Sequence, residues 1–510
     1  MKEKKQPGKV YLVGAGPGDA GLLTLKGKQV LEEAQVVVYD RLVGDGILAM
    51  IPKDAKLIDV GKRAGNHTMP QEQINHCLLE EARKGFRVVR LKGGDPFLFG
   101  RGGEELELLS ENGIPYEVVP GITSPIAVPS YNGIPVTHRD YCSSVHIITG
   151  HQKNQEPLKI AFDALVRTEG TLVFLMGISS LDGIMRGLLD AGMDSHMPAA
   201  VLQCGTTARQ KRIVAEVGTL SEEVKKRGVI TPAIIIVGKV CALAEQFAWY
   251  EKLPLSGYKI VVTRPEGRSG KMSDLLRKMG AEVLELPAIA TKPIPDNESL
   301  KEAIREIDRY QWIAFTSPYG VRVFFDALLN EKKDLRSLAG CSVAAIGEGT
   351  KKELQNRGIM PDLVPKTYDG ESLGKALAEK MGEGERILLP RAAAGGSEIL
   401  EELARVSKIM IDDIPVYETV YETSEIGLEQ KLYKDGEIDL AVFTSASTVH
   451  SFAKAAGAAD LTCMKAACIG HKTAAAAAEY GMKVYVAKEA TLESLVDLAV
   501  QIKSEQQERK

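Results

Sequence analysis

The stretch Val10-Tyr-Leu-Val-Gly-Ala-Gly-Pro-Gly-Asp19 decides how the chain begins to fold. An apolar run, Val10–Val13, enters the glycine bend Gly14-Ala-Gly16-Pro17-Gly18-Asp19, and an amphipathic segment, Leu22–Glu33, follows. A second apolar run, Val36–Tyr39, ends at Asp40. Strand, glycine turn, helix and a strand ending in an acid form the pattern of a dinucleotide-binding unit. Two details argue against a dinucleotide. The third glycine comes one position early, and Pro17 removes a backbone N–H from the bend that would cradle a pyrophosphate. Asp19 then brings negative charge to where phosphate would lie. Such a bend suits a ligand without phosphate, and a cationic one better still.

The same alternation continues outward to the far end. Val88–Leu91, Val145–Thr149, Thr171–Met176, Ile234–Val237, Ile260–Thr263, Ile313–Thr316, Val343–Ile346, Ile387–Leu389, Leu440–Thr444 and Val484–Val486 read as strands. Helical periodicity fills the gaps, as in Gln71–Lys84 and Leu373–Met381. The expected class is α/β with largely parallel sheets. A length of 510 residues implies about three to four domains. The Pro/Gly-punctuated segment Glu251–Gly257 is the expected linker between residues 1–250 and 258–505, and the polar tail Lys503–Lys510 is expected to fray.

Composition narrows the function classes. Hydrophobic residues make up 44% and charged residues 26%, values of a globular chain. A net charge of −4 argues against a general nucleic-acid or anionic-membrane binder. No apolar run approaches the ~20 residues a bilayer span needs. The start, MKEKKQPGKV, lacks the apolar segment of a signal peptide. Cys77, Cys142, Cys204, Cys241, Cys341, Cys463 and Cys468 are scattered without a C-x-x-C, which predicts a reduced, cytoplasmic protein with no structural metal.

A second glycine loop, Lys92-Gly93-Gly94-Asp95-Pro-Phe-Leu98-Phe-Gly-Arg101-Gly-Gly-Glu-Glu105, follows the strand Arg87–Leu91. Two such loops on neighbouring strand ends let backbone approach a flat ligand closely. The motifs VYLVGAGPGDAGLLTLKG, YDRLV, GKRAGNH, VVRLKGGDPFLFGRGGEE, PGITS and GIPVTHRD, spread over Lys9–Ala244, resemble the uroporphyrinogen-III C-methyltransferase family. That family belongs to the tetrapyrrole methylases, which use S-adenosylmethionine. The resemblance implies two α/β subdomains, about 1–120 and 121–245, with the cofactor between them, and a homodimer formed through this half. It places cofactor contacts at Pro17, Gly93, Gly94, Asp95, Leu98, Thr123, Ser124, Met176 and Gly205. It makes Asp40 the proton acceptor and Lys62 the proton donor. Arg63, Arg101 and Arg139 are candidate partners for substrate carboxylates. Pro125 and Pro129 depart from the usual small, non-proline residues beside Thr123 and Ser124. Only a short segment precedes Val10, so the family's occasional extra N-terminal domain, which oxidises and metallates the product, is not expected.

The second half repeats itself. Val262-Thr-Arg264-Pro matches Leu389-Pro-Arg391-Ala, Ala314-Phe-Thr-Ser317 matches Val442-Phe-Thr-Ser445, and Ala345-Ile-Gly347-x-x-Thr350 matches Cys468-Ile-Gly470-x-x-Thr473. Two similar α/β lobes follow, with strand-end hydroxyls where open α/β sheets bind ligands; any one of these hydroxyls is equally read as a helix N-cap. The motifs VTRP, FTSPYGV, AAIGEGT, LLPRA, IPVYETVY, FTSAST, CIGHKTA and EATLESL, from Tyr258 to about Ile502, resemble uroporphyrinogen-III synthase. The resemblance implies lobe one at about 258–288 plus 418–505 and lobe two at about 289–417, joined by a hinge of Leu284–Ile289 and Ile414–Tyr417. It implies cofactor-free ring closure of hydroxymethylbilane, with Tyr417 assisting the leaving hydroxyl. Arg264, Thr316, Ser317, Arg391, Thr444, Ser445 and Thr473 would hold carboxylates. Tyr319 stands where asparagine is common. The expectation is one chain that closes hydroxymethylbilane to uroporphyrinogen III and methylates it twice to precorrin-2. The alternatives are a Rossmann-type oxidoreductase fused to an unrelated domain, and a methyltransferase fused to a non-catalytic tetrapyrrole-binding module.

Overall fold

The computed structural model describes residues 7–508 apart from 53, 62–68, 151–158, 266–269, 407–408, 422–435 and 458. The opening apolar run becomes β1 (Val10–Gly14), buried along its whole length. It lies in a sheet with β2 (Val36–Tyr39), β3 (Lys56–Asp59), β4 (Val88–Lys92) and β5 (Tyr116–Val119), ordered β3-β2-β4-β1-β5. Every pair is parallel. Val10, Leu12, Val36 and Val38 pack with Ile74 and Leu78 in one cluster, while Tyr11, Val13 and Val37 pack with Val30, Leu31 and Ile47 in another. Apolar cover on both faces is why these strands read as continuous apolar runs instead of alternating ones.

The second sheet departs from the expected parallel pattern. It contains β6 (Val145–Thr149), β7 (Thr171–Leu175), β8 (Pro198–Gln203), β9 (Lys211–Glu216) and β10 (Ala233–Val237), ordered β6-β7-β10-β8-β9. Only β6 and β7 run parallel; β10 is antiparallel to β7 and β8, and β8 to β9. Residues 251–257 do not form a loose linker. Leu255 is fully buried and donates its N–H to the Met279 carbonyl, and Glu251 pairs with Arg212. Nor does the tail fray at Lys503: the last helix runs Leu492–Gln507, and the buried Lys503 ammonium donates to the Pro254 carbonyl at 2.9 Å.

The remaining strands are β11 (Lys259–Pro265), β12 (Glu282–Pro293), β13 (Trp312–Phe315), β14 (Ser342–Ala345), β15 (Arg386–Ala392), β16 (Met410–Tyr421), β17 (Leu440–Phe443), β18 (Lys465–Cys468) and β19 (Lys483–Val486). The chain forms two compact units. The first comprises Met1–Thr263, Ser269–Leu286 and Thr423–Lys510, so it joins the first half to the first lobe of the second. In that lobe β11, β17, β18 and β19 lie side by side and parallel. The second unit, Arg264–Arg268 and Pro287–Glu422, holds β14, β13, β15 and β16 in parallel order. There β12 runs antiparallel to β16, from Ile289 opposite Tyr421 to Pro293 opposite Tyr417. The segments expected as the hinge lie in these two strands, each of 12 residues and the longest among the described residues. Among the described residues no helix is long and apolar enough to cross a membrane.

Candidate active sites

The turns that leave β1, β4 and β5 meet with no room for side chains. A Cβ on Gly121 would lie 2.2 Å from the Gly94 carbonyl oxygen and 2.6 Å from the Gly14 Cα. Gly16 and Gly94 exchange two backbone hydrogen bonds, of 3.1 and 2.7 Å. Asp95 fixes this junction. Its Oδ1 accepts the Phe97 and Leu98 N–H groups at 2.8 and 3.2 Å, and its Oδ2 accepts the Gly121 N–H at 3.0 Å. Thr123 then begins the helix Ser124–Tyr131. Pro125 sits in its first turn, where a missing N–H leaves no hydrogen bond unmade. Pro129 lies inside the same helix, which nevertheless continues to Tyr131, so neither proline displaces Thr123 or Ser124 from the helix start.

A further wall comes from the second sheet. Gly205 lies against Val128, whose Cγ1 would be 2.2 Å from an added Cβ. Its neighbours Cys204 and Thr206, with φ of 46° and 70°, are left-handed, as is Met176 at the end of β7 with φ 55°. Non-glycine residues held in this region store strain and cluster at ligand sites. The Thr206 hydroxyl accepts the Asp19 N–H at 3.2 Å, and Tyr131 donates its O–H to Asp19 Oδ2 at 2.8 Å. Asp19 Oδ1 accepts the Gly21 N–H at 2.7 Å. Both carboxylate oxygens are thus engaged by the protein, and Asp19 ties the first glycine bend to the 204–207 turn instead of standing free beside a ligand. Burial, with Asp19 next to it, pushes the Tyr131 phenol well above its ordinary value and keeps it a donor.

Asp40 stands at the end of β2. Its Oδ1 accepts the Leu42 N–H at 3.0 Å, and its Oδ2 lies 3.6 Å from the Arg90 guanidinium. Behind it is a buried charge ladder that the sequence reading missed. Glu105, 0% exposed, takes Lys92 at 2.7 Å and Arg90 at 3.1 Å on the same oxygen. Burial, reinforced by Arg90, depresses the Lys92 ammonium while Glu105 opposes the shift. The available signal was Arg90 and Lys92 inside an otherwise apolar strand, since buried charges must be paired. Arg101 is forked on Glu104 at 2.8 and 2.6 Å, and Arg139 is exposed. Lys62 and Arg63 lie outside the described residues.

The repeat in the second half is structural. Ser317 caps the helix Pro318–Asn330 by accepting the Gly320 N–H at 2.9 Å, and Ser445 caps Ala446–Ala456 by accepting the Thr448 N–H at 3.3 Å. Thr316 and Thr444 precede them at the ends of β13 and β17. Tyr417, only 7% exposed, donates its O–H to Ser317 Oγ at 2.8 Å, so two residues singled out separately meet. Tyr319 packs edge-on against the Tyr417 ring at 5.1 Å. Other expected carboxylate holders differ. The Arg391 guanidinium is taken by Asp413 at 2.6 Å and by the Gly396 carbonyl, because β15 and β16 are paired at that point and bring Asp413 within reach. Asp413 also keeps it above its ordinary value. Thr473 is buried in the helix His471–Glu479. The Arg264 side chain lies outside the described residues.

Residues 9–221 match the tetrapyrrole (corrin/porphyrin) methylases, and residues 270–497 match uroporphyrinogen-III synthase HemD. The porphyrin biosynthesis protein HemD of Ruminiclostridium josui is 48% identical over 97% of this chain and 98% of its own. The uroporphyrinogen-III C-methyltransferase of Bacillus subtilis is 42% identical over 69% of this chain and 72% of its own. The uroporphyrin-III C-methyltransferase of Thermus thermophilus, crystallised with S-adenyl homocysteine, is 40% identical over 46% of this chain and 99% of its own, with a TM-score of 0.41. With a strand-end junction of glycine turns in one half and a doubled strand–hydroxyl–helix unit in the other, this chain belongs to the family of porphyrin biosynthesis proteins that join a tetrapyrrole methylase to a uroporphyrinogen-III synthase.

Proposed function

We propose that the second half makes uroporphyrinogen III from hydroxymethylbilane and that the first half methylates it twice, to precorrin-2, with S-adenosylmethionine as donor. The glycine-walled slot carries this reading. Backbone from three strand ends packs too closely there for any side chain, so a flat adenosine laid against these turns would meet bare backbone. Pro17, Gly93, Gly94, Asp95, Leu98, Thr123, Ser124, Met176 and Gly205 are the residues proposed to hold the donor. When bound, S-adenosylmethionine supplies an activated methyl group on a sulfonium. The protein aligns the pyrrole carbon with it, and orientation of that kind is worth several kcal/mol. Once the carbon–carbon bond has formed at the expense of the sulfur–methyl bond, with S-adenosylhomocysteine as the leaving group, Asp40 Oδ2 would take the proton that leaves the ring carbon. The Leu42 N–H pins the other oxygen, and Arg90 fixes the carboxylate from behind. Lys62 is assigned as proton donor, and Arg101 and Arg139 as carboxylate partners.

In the second half, Ser317 Oγ accepts from both Gly320 and Tyr417. A hydroxyl has two lone pairs and one proton, so the Ser317 O–H is left to donate to a substrate carboxylate. Tyr417 is positioned by Ser317, and once the bilane is bound its O–H is proposed to turn from Ser317 to the leaving hydroxyl, which departs as water. Arg264, Thr316, Thr444, Ser445 and Thr473 complete the proposed carboxylate set, and Arg391 shapes it through Asp413. The chain is further proposed to dimerise through its first half, which sedimentation of the full chain checks. Calorimetric titration tests the donor: S-adenosylhomocysteine is expected to bind and NAD(P) not to, and the reverse result would favour an oxidoreductase.

A further inference from the structure

The first compact unit contains an ion network that runs from one wall of the proposed donor cleft to the other, through the synthase lobe. Lys259 opens β11, and its ammonium, 4% exposed, meets Asp45 at 2.8 Å, Glu437 at 3.1 Å and Glu282 at 3.2 Å. The second oxygen of Glu282 accepts the Ala208 N–H at 2.7 Å. Arg209 donates to Asp439 Oδ2 at 3.0 Å and to the Glu437 carbonyl at 2.8 Å. Asp45 and Ala208 belong to the methyltransferase half; Lys259, Glu282, Glu437 and Asp439 belong to the synthase lobe.

The positions of the two anchor points matter. Asp45 starts the helix Asp45–Leu48, a few residues beyond Asp40. Its neighbour Gly44 is packed on the first glycine bend, where an added Cβ would lie 2.3 Å from the Gly18 carbonyl. Ala208 follows closely on Gly205 and the left-handed Thr206. One apolar core backs the contact, since Ile47, Leu48 and Ile51 share it with Leu284, Leu286 and Phe443. Lys259 and Asp439 stand at the amino ends of the parallel pair β11 and β17, whereas Thr444 and Ser445 stand at the carboxyl end. Open α/β sheets bind ligands at carboxyl ends, so this edge is used for docking without covering the hydroxyls. Burial alone would lower the Lys259 ammonium, but Glu282 and Asp45 outweigh it and hold it above the usual lysine value.

We propose that Lys259 is a positioning residue for methyl transfer, supplied by the synthase lobe: it fixes the spacing between the Asp40–Asp45 and Gly205–Ala208 segments across the donor cleft. This rests on the methyltransferase reading above. Binding free energies are reciprocal, so donor binding must in turn tighten the lobe. The test is Lys259→Met in the full chain, titrated with S-adenosylhomocysteine. The expected result is binding weakened about tenfold, with ring closure at the wild-type rate. S-adenosylhomocysteine should also slow amide exchange across residues 437–445 in the wild type and not in the variant. Arg209→Met, at a more exposed side chain, should weaken binding about threefold and carries the test if Lys259→Met loses both activities through misfolding. Wild-type affinity in a folded Lys259→Met, or in Arg209→Met, would overturn the proposal. A wild-type chain that does not bind S-adenosylhomocysteine would overturn the methyltransferase reading, and this inference with it.

Discussion

In the methyltransferase half the turns proposed to hold the donor are bare backbone with charges buried behind them; in the synthase half each lobe offers side-chain hydroxyls at helix starts. In the first, Gly14, Gly94 and Gly121 touch, and Arg90, Lys92 and Glu105 are buried beneath Asp40. In the second, Ser317 and Ser445 each cap a helix, and among the described residues Ser317 alone of the two is joined by a tyrosine. The contrast follows from what each half grips. A donor of fixed shape rewards a rigid mould, and a flexible bilane with many carboxylates rewards several adjustable donors. A backbone wall should fail abruptly on a single added methyl, while a rim of hydroxyls should degrade in steps.

Five substitutions test that contrast. Asp40→Ala should slow methyl transfer most, on the order of 10³-fold, the typical worth of a positioned general base. Ring closure in the same sample should be unchanged; equal loss of both would point to misfolding. Gly121→Ala, which puts a methyl 2.2 Å from the Gly94 carbonyl, should cost methyl transfer about 10²-fold by displacing the wall, again without touching ring closure. A mild effect would mean that the wall yields. In the synthase half, Tyr417→Phe should slow ring closure about tenfold, the equivalent of one buried hydrogen bond, and leave methylation of supplied uroporphyrinogen III intact. An unchanged synthase rate would remove Tyr417 from the mechanism. Ser317→Ala and Ser445→Ala should each cost about 1 kcal/mol of stability as lost N-caps, measured by denaturant unfolding. Both should also slow ring closure, Ser317→Ala more than Ser445→Ala because Ser317 also positions Tyr417, and equal slowing would erase the difference between the lobes.

The smallest effect concerns acid. Glu117 is paired with Lys26 and Lys9, and hydrogen bonds from those ammonium groups hold its carboxyl down to about 2. A depressed carboxylate contributes stability above its ordinary value, and that contribution fades as pH falls through the folded-state value. The gap in Tm between the wild type and Glu117→Gln should therefore close as pH falls from about 4.5 towards about 2. A gap that persists at the acid end would mean that Glu117 stabilises by packing.

The inner strands β1, β2 and β4 were legible because burial on both faces turns them into continuous apolar runs such as Val36–Tyr39, whereas the edge strands Lys56–Asp59 and Tyr116–Val119, only partly buried and interrupted by charged residues, were not read. In the second sheet, β8 and β9 were not read: Pro198–Gln203 opens on a proline followed by two alanines, and Lys211–Glu216 buries Ile213 alone among charged and exposed residues. The glycine motifs pointed to the turns that meet at Gly14, Gly94 and Gly121, but not to the bonds of Asp19 with Tyr131 and Gly21. Arg391 and Asp413, and likewise Lys259 and Asp45, are partners that only the folded strands bring together. Local pattern predicts which residues form an element. It carries no information about a partner 214 positions away.

The most direct test gives the full chain hydroxymethylbilane and S-adenosylmethionine together, then analyses the product by mass and isomer type. The account predicts a type III macrocycle carrying two added methyl groups. Type I macrocycle alone, or type III left unmethylated, would contradict it.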